Sequence, residues 1–369
     1  MTLPGVPVIP THSIMSILIG NRYKTVPGSL FPDYCFQGTI IRVFFGRQPI
    51  GKGEAIMGLP VVFMYSGQGA QYYQMGKELY EKEPVFSRTL NRCSDVVSPL
   101  IGTSLIDVIY GGKKTDPFER TLYTHPANVA FCYSLTQTLY ARGIKPDMLL
   151  GYSLGEYVCA LIAEALPMEK GLELIVRQAR LLEEKTANAT MMAVLDDPAI
   201  MQRRPQLFQG SWLSGHNFPN HFVITGYRDR LKAIENQLFE DGITAQILPI
   251  SHGFHSPIID PIREDNLQLL TGFTPPRLPC YSGMTTGPIE SFSAEHIWNV
   301  VRNPVRFLET VRAMEAHGPF NYIDVGPAGT LATFVKYILG NGSSSQALIS
   351  VNQFGRDLLG LERLKAGMS

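Results

Sequence analysis

Short apolar runs, glycine-punctuated loops and longer amphipathic stretches alternate from residue 61 onward. Residues 61–65, Val-Val-Phe-Met-Tyr, have the pattern of a strand buried on both faces. They lead into Ser66-Gly67-Gln68-Gly69-Ala70-Gln71, a loop broken by two glycines. Helices are predicted over 75–80, 84–100 and, after His125-Pro126, over 127–142, with Gly143 as the stop. Met148-Leu149-Leu150 reads as a second buried strand, and the stretch 157–166 as an apolar helix. This alternation predicts an α/β domain with a mainly parallel sheet.

The period changes after the helix 168–186, whose apolar face is Leu172, Ile175, Val176, Ala179 and Leu182. Strands are predicted over 190–195, 222–226 and 246–250, with helices over 197–206 and 229–241. Short strands around helices predict a small α+β subdomain. It is inserted, because α/β material resumes beyond it. Helices follow over 261–270, 292–300, 307–316 and 331–339, with strands ending at Ser282, at 322–325 and over 348–351. The expected division is an extension (1–59), a large domain (60–186 and 254–351), the insert (187–253) and a tail (352–369) that frays after Phe354. The first 59 residues mix prolines, glycines and bulky apolar residues, with Val43-Phe44-Phe45 as a candidate strand. Two readings stand: an irregular extension wrapped on the main domain, or an upstream stretch with no function. Ile14–Ile19 lacks the charged flank and cleavage site of a signal peptide.

With 369 residues, 45% of them hydrophobic, the chain can bury a large core and a smaller one. Lys+Arg and Asp+Glu are 32 each, with no basic block, so nucleic acid is not an expected partner. No apolar run is long enough to predict a membrane span. The five cysteines are scattered without ligand spacing, which predicts free, mostly buried thiols, a cytoplasmic setting and no metal site.

The chemistry centres on Gly151-Tyr152-Ser153-Leu154-Gly155-Glu156, which joins a predicted strand to a predicted helix. Gly-x-Ser-x-Gly in that context is a nucleophile elbow. The serine would be presented at the helix N-terminus, where backbone N–H groups favour a developing oxyanion. A serine nucleophile needs a base. Among eight histidines the candidate is His255, in a loop that follows a strand, with His252 as its competitor. No carboxylate lies close in sequence, so local spacing does not assign the group that orients the imidazole.

Several separated motifs occur together in order. They are Gly67-Gln68-Gly69-Ala70-Gln71, the elbow, Gly253-Phe254-His255-Ser256, Arg302-Asn303-Pro304-Val305-Arg306-Phe307 and Asp324-Val325-Gly326-Pro327. With them the chain, from about residue 59 to 351, resembles the malonyl-CoA:acyl-carrier-protein transacylase family. The resemblance implies an α/β-hydrolase-like large domain with an inserted ferredoxin-like subdomain. It makes Ser153 the nucleophile and His255 the base. Gln68, through its side-chain amide, and the Leu154 N–H would form the oxyanion hole. The His255-orienting carbonyl would belong to Gly283, where the family usually has Asn. Tyr152, in place of the family's elbow His, would shape the acyl pocket with Phe254, His125 and Gln178.

Gln178 stands where family members that take malonyl groups carry an arginine. An amide cannot offset the desolvation of a buried carboxylate. Arg177 would take that place if the alignment slipped by one residue, and Arg180 lies on another face of the helix. Gln178 also resembles the free-standing acyltransferase-like acyl hydrolases of trans-acyltransferase polyketide pathways. The implied activity is hydrolysis of acetyl or other non-carboxylated acyl groups from acyl carrier proteins through a Ser153 ester. The substrate is carried on phosphopantetheine, or on CoA, by a monomer with no bound cofactor. The alternatives are acyl transfer to a carrier protein, and an inactive scaffold that docks one.

Overall fold

The computed structural model describes residues 58–340 and 342–367. The predicted strand at 43–45 and the wrapping of the extension lie outside the described residues. Residues 59 onward form one compact unit. Its strands are β1 (Val61–Tyr65), β2 (Met148–Gly151), β3 (Ala189–Val194), β4 (Ser211–Phe218), β5 (His221–Tyr227), β6 (Ala245–Ile247), β7 (Cys280–Ser282), β8 (Asn321–Asp324) and β9 (Gln346–Ile349).

Five strands pair in parallel in the order β7-β2-β1-β8-β9. All five residues of β1 are buried, as its unbroken apolar run requires of a central parallel strand. The helices Pro84–Ile101, Thr121–Ala141 and Met168–Lys185 pack into one core on the sheet with Phe63, Tyr65 and Leu149. Val62, Met64 and Leu150 point to the other face, towards Phe307, Val311, Leu331 and Val335.

The second sheet is antiparallel, in the order β4-β5-β3-β6. With the short helices Ile200–Arg203 and Pro205–Phe208 after β3, and Arg228–Glu240 after β5, it forms a βαββαβ unit of ferredoxin-like order. Leu231, Ile234 and Leu238 of the longer helix bury against Met192, Val194, Phe222 and Ile224. β4 is tied to the large domain by an isolated bridge to the chain at Val305: His216 N donates to Val305 O (2.8 Å), and Val305 N to Ser214 O (3.0 Å).

Four features differ from the sequence reading. The helix expected at 127–142 begins at Thr121 and runs through Pro126, so His125 is helical. Proline costs that helix one hydrogen bond near its start, where few bonds are yet made. A helix Leu105–Gly111 and the whole of β4 were not expected. The tail expected to fray folds into a helix, Asp357–Gly367, because Leu361 and Leu364 reach the large core. Among the described residues no single helix is long and apolar enough to cross a membrane.

Candidate active site

The loop after β2 is tight because two glycines permit it. A Cβ on Gly155 would lie 2.0 Å from the Tyr65 carbonyl oxygen, and one on Gly151 would lie 2.7 Å from Glu156 Cα. The turn leaves Ser153 at φ 54°, a left-handed conformation that costs a non-glycine residue free energy. The helix Gly155–Ile162 starts two residues later.

His255 follows the second sheet, also at positive φ (59°). Phe254 O accepts from Thr225 Oγ1 (2.7 Å) and His255 N donates to Val301 O (2.8 Å), so the loop is fixed on both sides. His255 Nε2 lies 2.8 Å from Ser153 Oγ, across 102 residues of sequence. Its Nδ1 lies 2.7 Å from Asn303 O. A carbonyl only accepts, so Nδ1 carries the hydrogen and Nε2 faces the serine with its lone pair. Burial, above all, pushes the His255 pKa down to about 4, so the ring is a neutral acceptor at physiological pH.

The expected orienting residue is therefore corrected. Gly283 O accepts from Arg306 N (2.7 Å) and is not the partner of His255. Asn303 caps the helix Ala294–Arg302, and the last carbonyls of a helix have no partner within it. The competitor His252 is held by Thr186 Oγ1 (3.0 Å) and does not line the cleft at Ser153.

That cleft is lined by Gln68, His125, Tyr152, Leu154 and Phe254, all expected there. Met191, Val223, Leu248 and Ile250, from β3, β5 and the chain leaving β6, supply an apolar wall that the sequence reading missed. Tyr152 OH donates to Asn217 Oδ1 (2.9 Å), which fixes the phenol from β4. The Gln68 side chain, expected to serve an oxyanion, is held by two neighbours. Its Nε2 donates to Thr124 Oγ1 (2.9 Å) and its Oε1 lies 2.9 Å from His125 Nε2. Among the described residues the backbone N–H groups of Gln68 and Leu154 meet no acceptor. Those two amides are the better oxyanion donors.

Gln178 does not line the cleft. It is buried, and its Nε2 donates to Asn266 Oδ1 (2.8 Å). The expectation that it forms the acyl pocket fails because the neighbouring helix holds its amide. Neither nearby arginine replaces it. Arg177 is half-exposed and paired with Glu173 at 2.5 Å, and Arg180 bonds to Leu100 O. Among the described residues no Lys or Arg lines the cleft.

Asn303, Asn217 and Thr124 were not singled out in the sequence. Asn303 acts through its main chain, for which no side chain gives a signal. It lies in the Arg302–Phe307 motif and just before Pro304, where helices end, but neither cue assigned it a role.

A parallel α/β sheet presenting a strained serine to a neutral imidazole, beside two unused amides, defines an enzyme class that works through acyl-serine chemistry. Residues 62–367 match the acyl transferase domain, and the chain belongs to that family. It is 37% identical over 313 residues to the polyketide biosynthesis acyltransferase homolog PksD of Bacillus subtilis (strain 168), covering 84% of this chain and 97% of that one. The same identity and coverage relate it to the polyketide biosynthesis acyltransferase homolog BaeD of Bacillus velezensis. Among solved structures, a loading acyltransferase from the avermectin modular polyketide synthase shares the fold. Its TM-score is 0.76 at 21% identity, covering 83% of this chain and 99% of that one.

Proposed function

We propose that the chain hydrolyses acyl thioesters on the phosphopantetheine arms of polyketide acyl carrier proteins, through an ester on Ser153. The carrying observation is the line Ser153 Oγ–His255 Nε2–Asn303 O, facing a largely apolar cleft that no Lys or Arg among the described residues lines. His255 takes the Ser153 proton as the oxygen attacks the thioester, then gives it to the leaving thiolate. The N–H groups of Gln68 and Leu154 hold the oxyanion. Water then attacks the ester, with His255 again as base.

Acetyl and other neutral acyl groups suit this cleft. A malonyl carboxylate would lie in it without a partner, and an unpaired buried charge costs about 3–5 kcal/mol. Borne by the transition state, that loss lowers kcat/KM by about a hundredfold or more. The names of the relatives support a polyketide setting. Ser153, His255 and Asn303 belong to one chain, which fits a monomer. Buried free thiols at Cys93, Cys132, Cys159 and Cys280 fit the cytoplasm. We assign residues 187–253 to the insert that walls the cleft.

The second reading, transfer to another carrier, is favoured by the relatives' description as acyltransferase homologs. Mass spectrometry of acetylated carrier protein, with a second, unloaded carrier present, separates the two. Free acetate and a transient acetyl adduct on wild type, both absent in Ser153→Ala, are expected. Acetyl movement to the second carrier without free acid would support transfer. Unchanged turnover in Ser153→Ala, or malonyl released as fast as acetyl, would overturn the proposal.

A further inference from the structure

The amides assigned to the oxyanion are main-chain groups, so their aim depends on what fixes the chain around them. Leu154 belongs to the elbow and caps the helix Gly155–Ile162. Gln68 lies in the loop 66–71, which no helix or strand includes. That loop abuts the nucleophile: a Cβ on Gly67 would lie 3.1 Å from Ser153 Cβ and 2.9 Å from Tyr152 O. Glycine at 67 and 69, the latter at φ 103°, makes such a loop loose in itself.

The missing rigidity is supplied by Gln71, which is 5% exposed. Its Oε1 accepts from Gly69 N (2.7 Å) and from Asn128 Nδ2 (3.0 Å), and its Nε2 donates to Phe118 O (2.9 Å). A main-chain N–H only donates and a carbonyl only accepts, so an amide meets both at once where a carboxylate or a thioether cannot. A second clamp holds Gln68 itself, between Thr124 Oγ1 and His125 Nε2. Thr124 and His125 stand four and three residues before Asn128, so the three share one side of the helix Thr121–Ala141. That helix is buried from Thr124 to Cys132, which makes it a fixed template for the loop.

Building on the acyl-serine reading above, we propose that Gln71 is a positioning residue for the oxyanion. By tying Gly69 N–H to Phe118 and Asn128 it fixes the chain after Gln68, while Gly67 against Ser153 fixes the chain before it. The Gln68 N–H is thereby held towards the point where the thioester oxygen becomes negative. Gln71 does not line the cleft, so it acts through the loop and not on the substrate. Charge builds on that oxygen only as Ser153 adds to the carbonyl carbon. A loop free to drift therefore loses transition-state stabilisation and little ground-state binding.

The test compares wild type with Gln71→Met, which keeps the length of the side chain without its polar end. With acetylated carrier protein, kcat should fall roughly 10- to 100-fold while KM stays within about twofold. Methylboronic acid, which adds to a serine as a charged tetrahedral mimic, should inhibit more weakly by the factor lost from kcat/KM. Acetylated carrier protein should bind Ser153→Ala and Ser153→Ala/Gln71→Met equally well, which a general loosening of the site would not allow. Asn128→Leu removes one of the bonds to Gln71 and should show a smaller loss of the same pattern. It carries the test if Gln71→Met does not fold. A raised KM with kcat unchanged, methylboronic acid inhibition that does not weaken as kcat falls, or poorer carrier binding in the Ser153→Ala background would overturn the role of Gln71. No acetyl adduct on wild-type Ser153 would instead overturn the acyl-serine reading itself.

Discussion

In the proposed mechanism His255 is the base, and burial sets its titration. Its neutral form accepts the serine proton, and its pKa is pushed from the usual imidazole range to about 4. Activity should therefore persist as pH falls through 6.5 and fail only on approach to the lowered value. We expect kcat/KM to be flat from about pH 8 to about pH 5. A pH–rate profile with an acid limb centred near 6.5 would show a solvated imidazole instead. At this scale Ser153 and His255 were legible because each sits in a motif with a defined strand–turn context. Asn303 was not, because any residue offers a carbonyl. Gly283 was chosen by alignment to a loop whose carbonyl, in the folded chain, is taken by Arg306. Gln178 was rightly read as lacking charge, but its engagement with Asn266, 88 residues away, has no trace in local sequence.

Among the elements, the helix Ala294–Arg302 links the nucleophile to the base. Near its start His296 Nε2 lies 2.8 Å from Glu156 Oε2, on the elbow helix, and Ser282 Oγ donates to the other carboxylate oxygen (2.7 Å). Its end presents Asn303 O to His255. Glu156 is fully buried, which raises its pKa, while His296 and Ser282 act to lower it. His296→Leu should cost about 3–5 kcal/mol by leaving a buried carboxylate without that partner. It should also lower kcat as the Asn303 carbonyl shifts. Denaturant unfolding reads the first effect, and adding Glu156→Gln should restore part of the stability. A variant as stable as wild type would show that the pair does not hold the helix. Most helices and strands were legible from their periodicity. β4 was not, since Ser-Gly-His-Asn-Phe carries no β-branched residue. Its strand state comes from pairing with β5 and with Val305.

For the whole molecule, the parallel sheet and its helices were readable from alternation, and the insert from the change of period. The last helix was misread because the charged residues around Leu358, Leu361 and Leu364 look solvent-borne until the large core is there to receive them. Leu361 is fully buried, so Leu361→Ala should cost about 2–5 kcal/mol. Thermal unfolding checks this, and a loss under about 1 kcal/mol would mean that the segment adds little to the core. The division of labour at the cleft has a different kind of consequence. The groups that do the chemistry come from the parallel sheet and the loops at its edge, while Met191, Val223, Leu248 and Ile250 come from the inserted unit. Selection can therefore retune which acyl chain is accepted by drifting one contiguous stretch of the gene, without disturbing the residues that make and break bonds. Paralogues diverging in substrate should then differ most within that stretch.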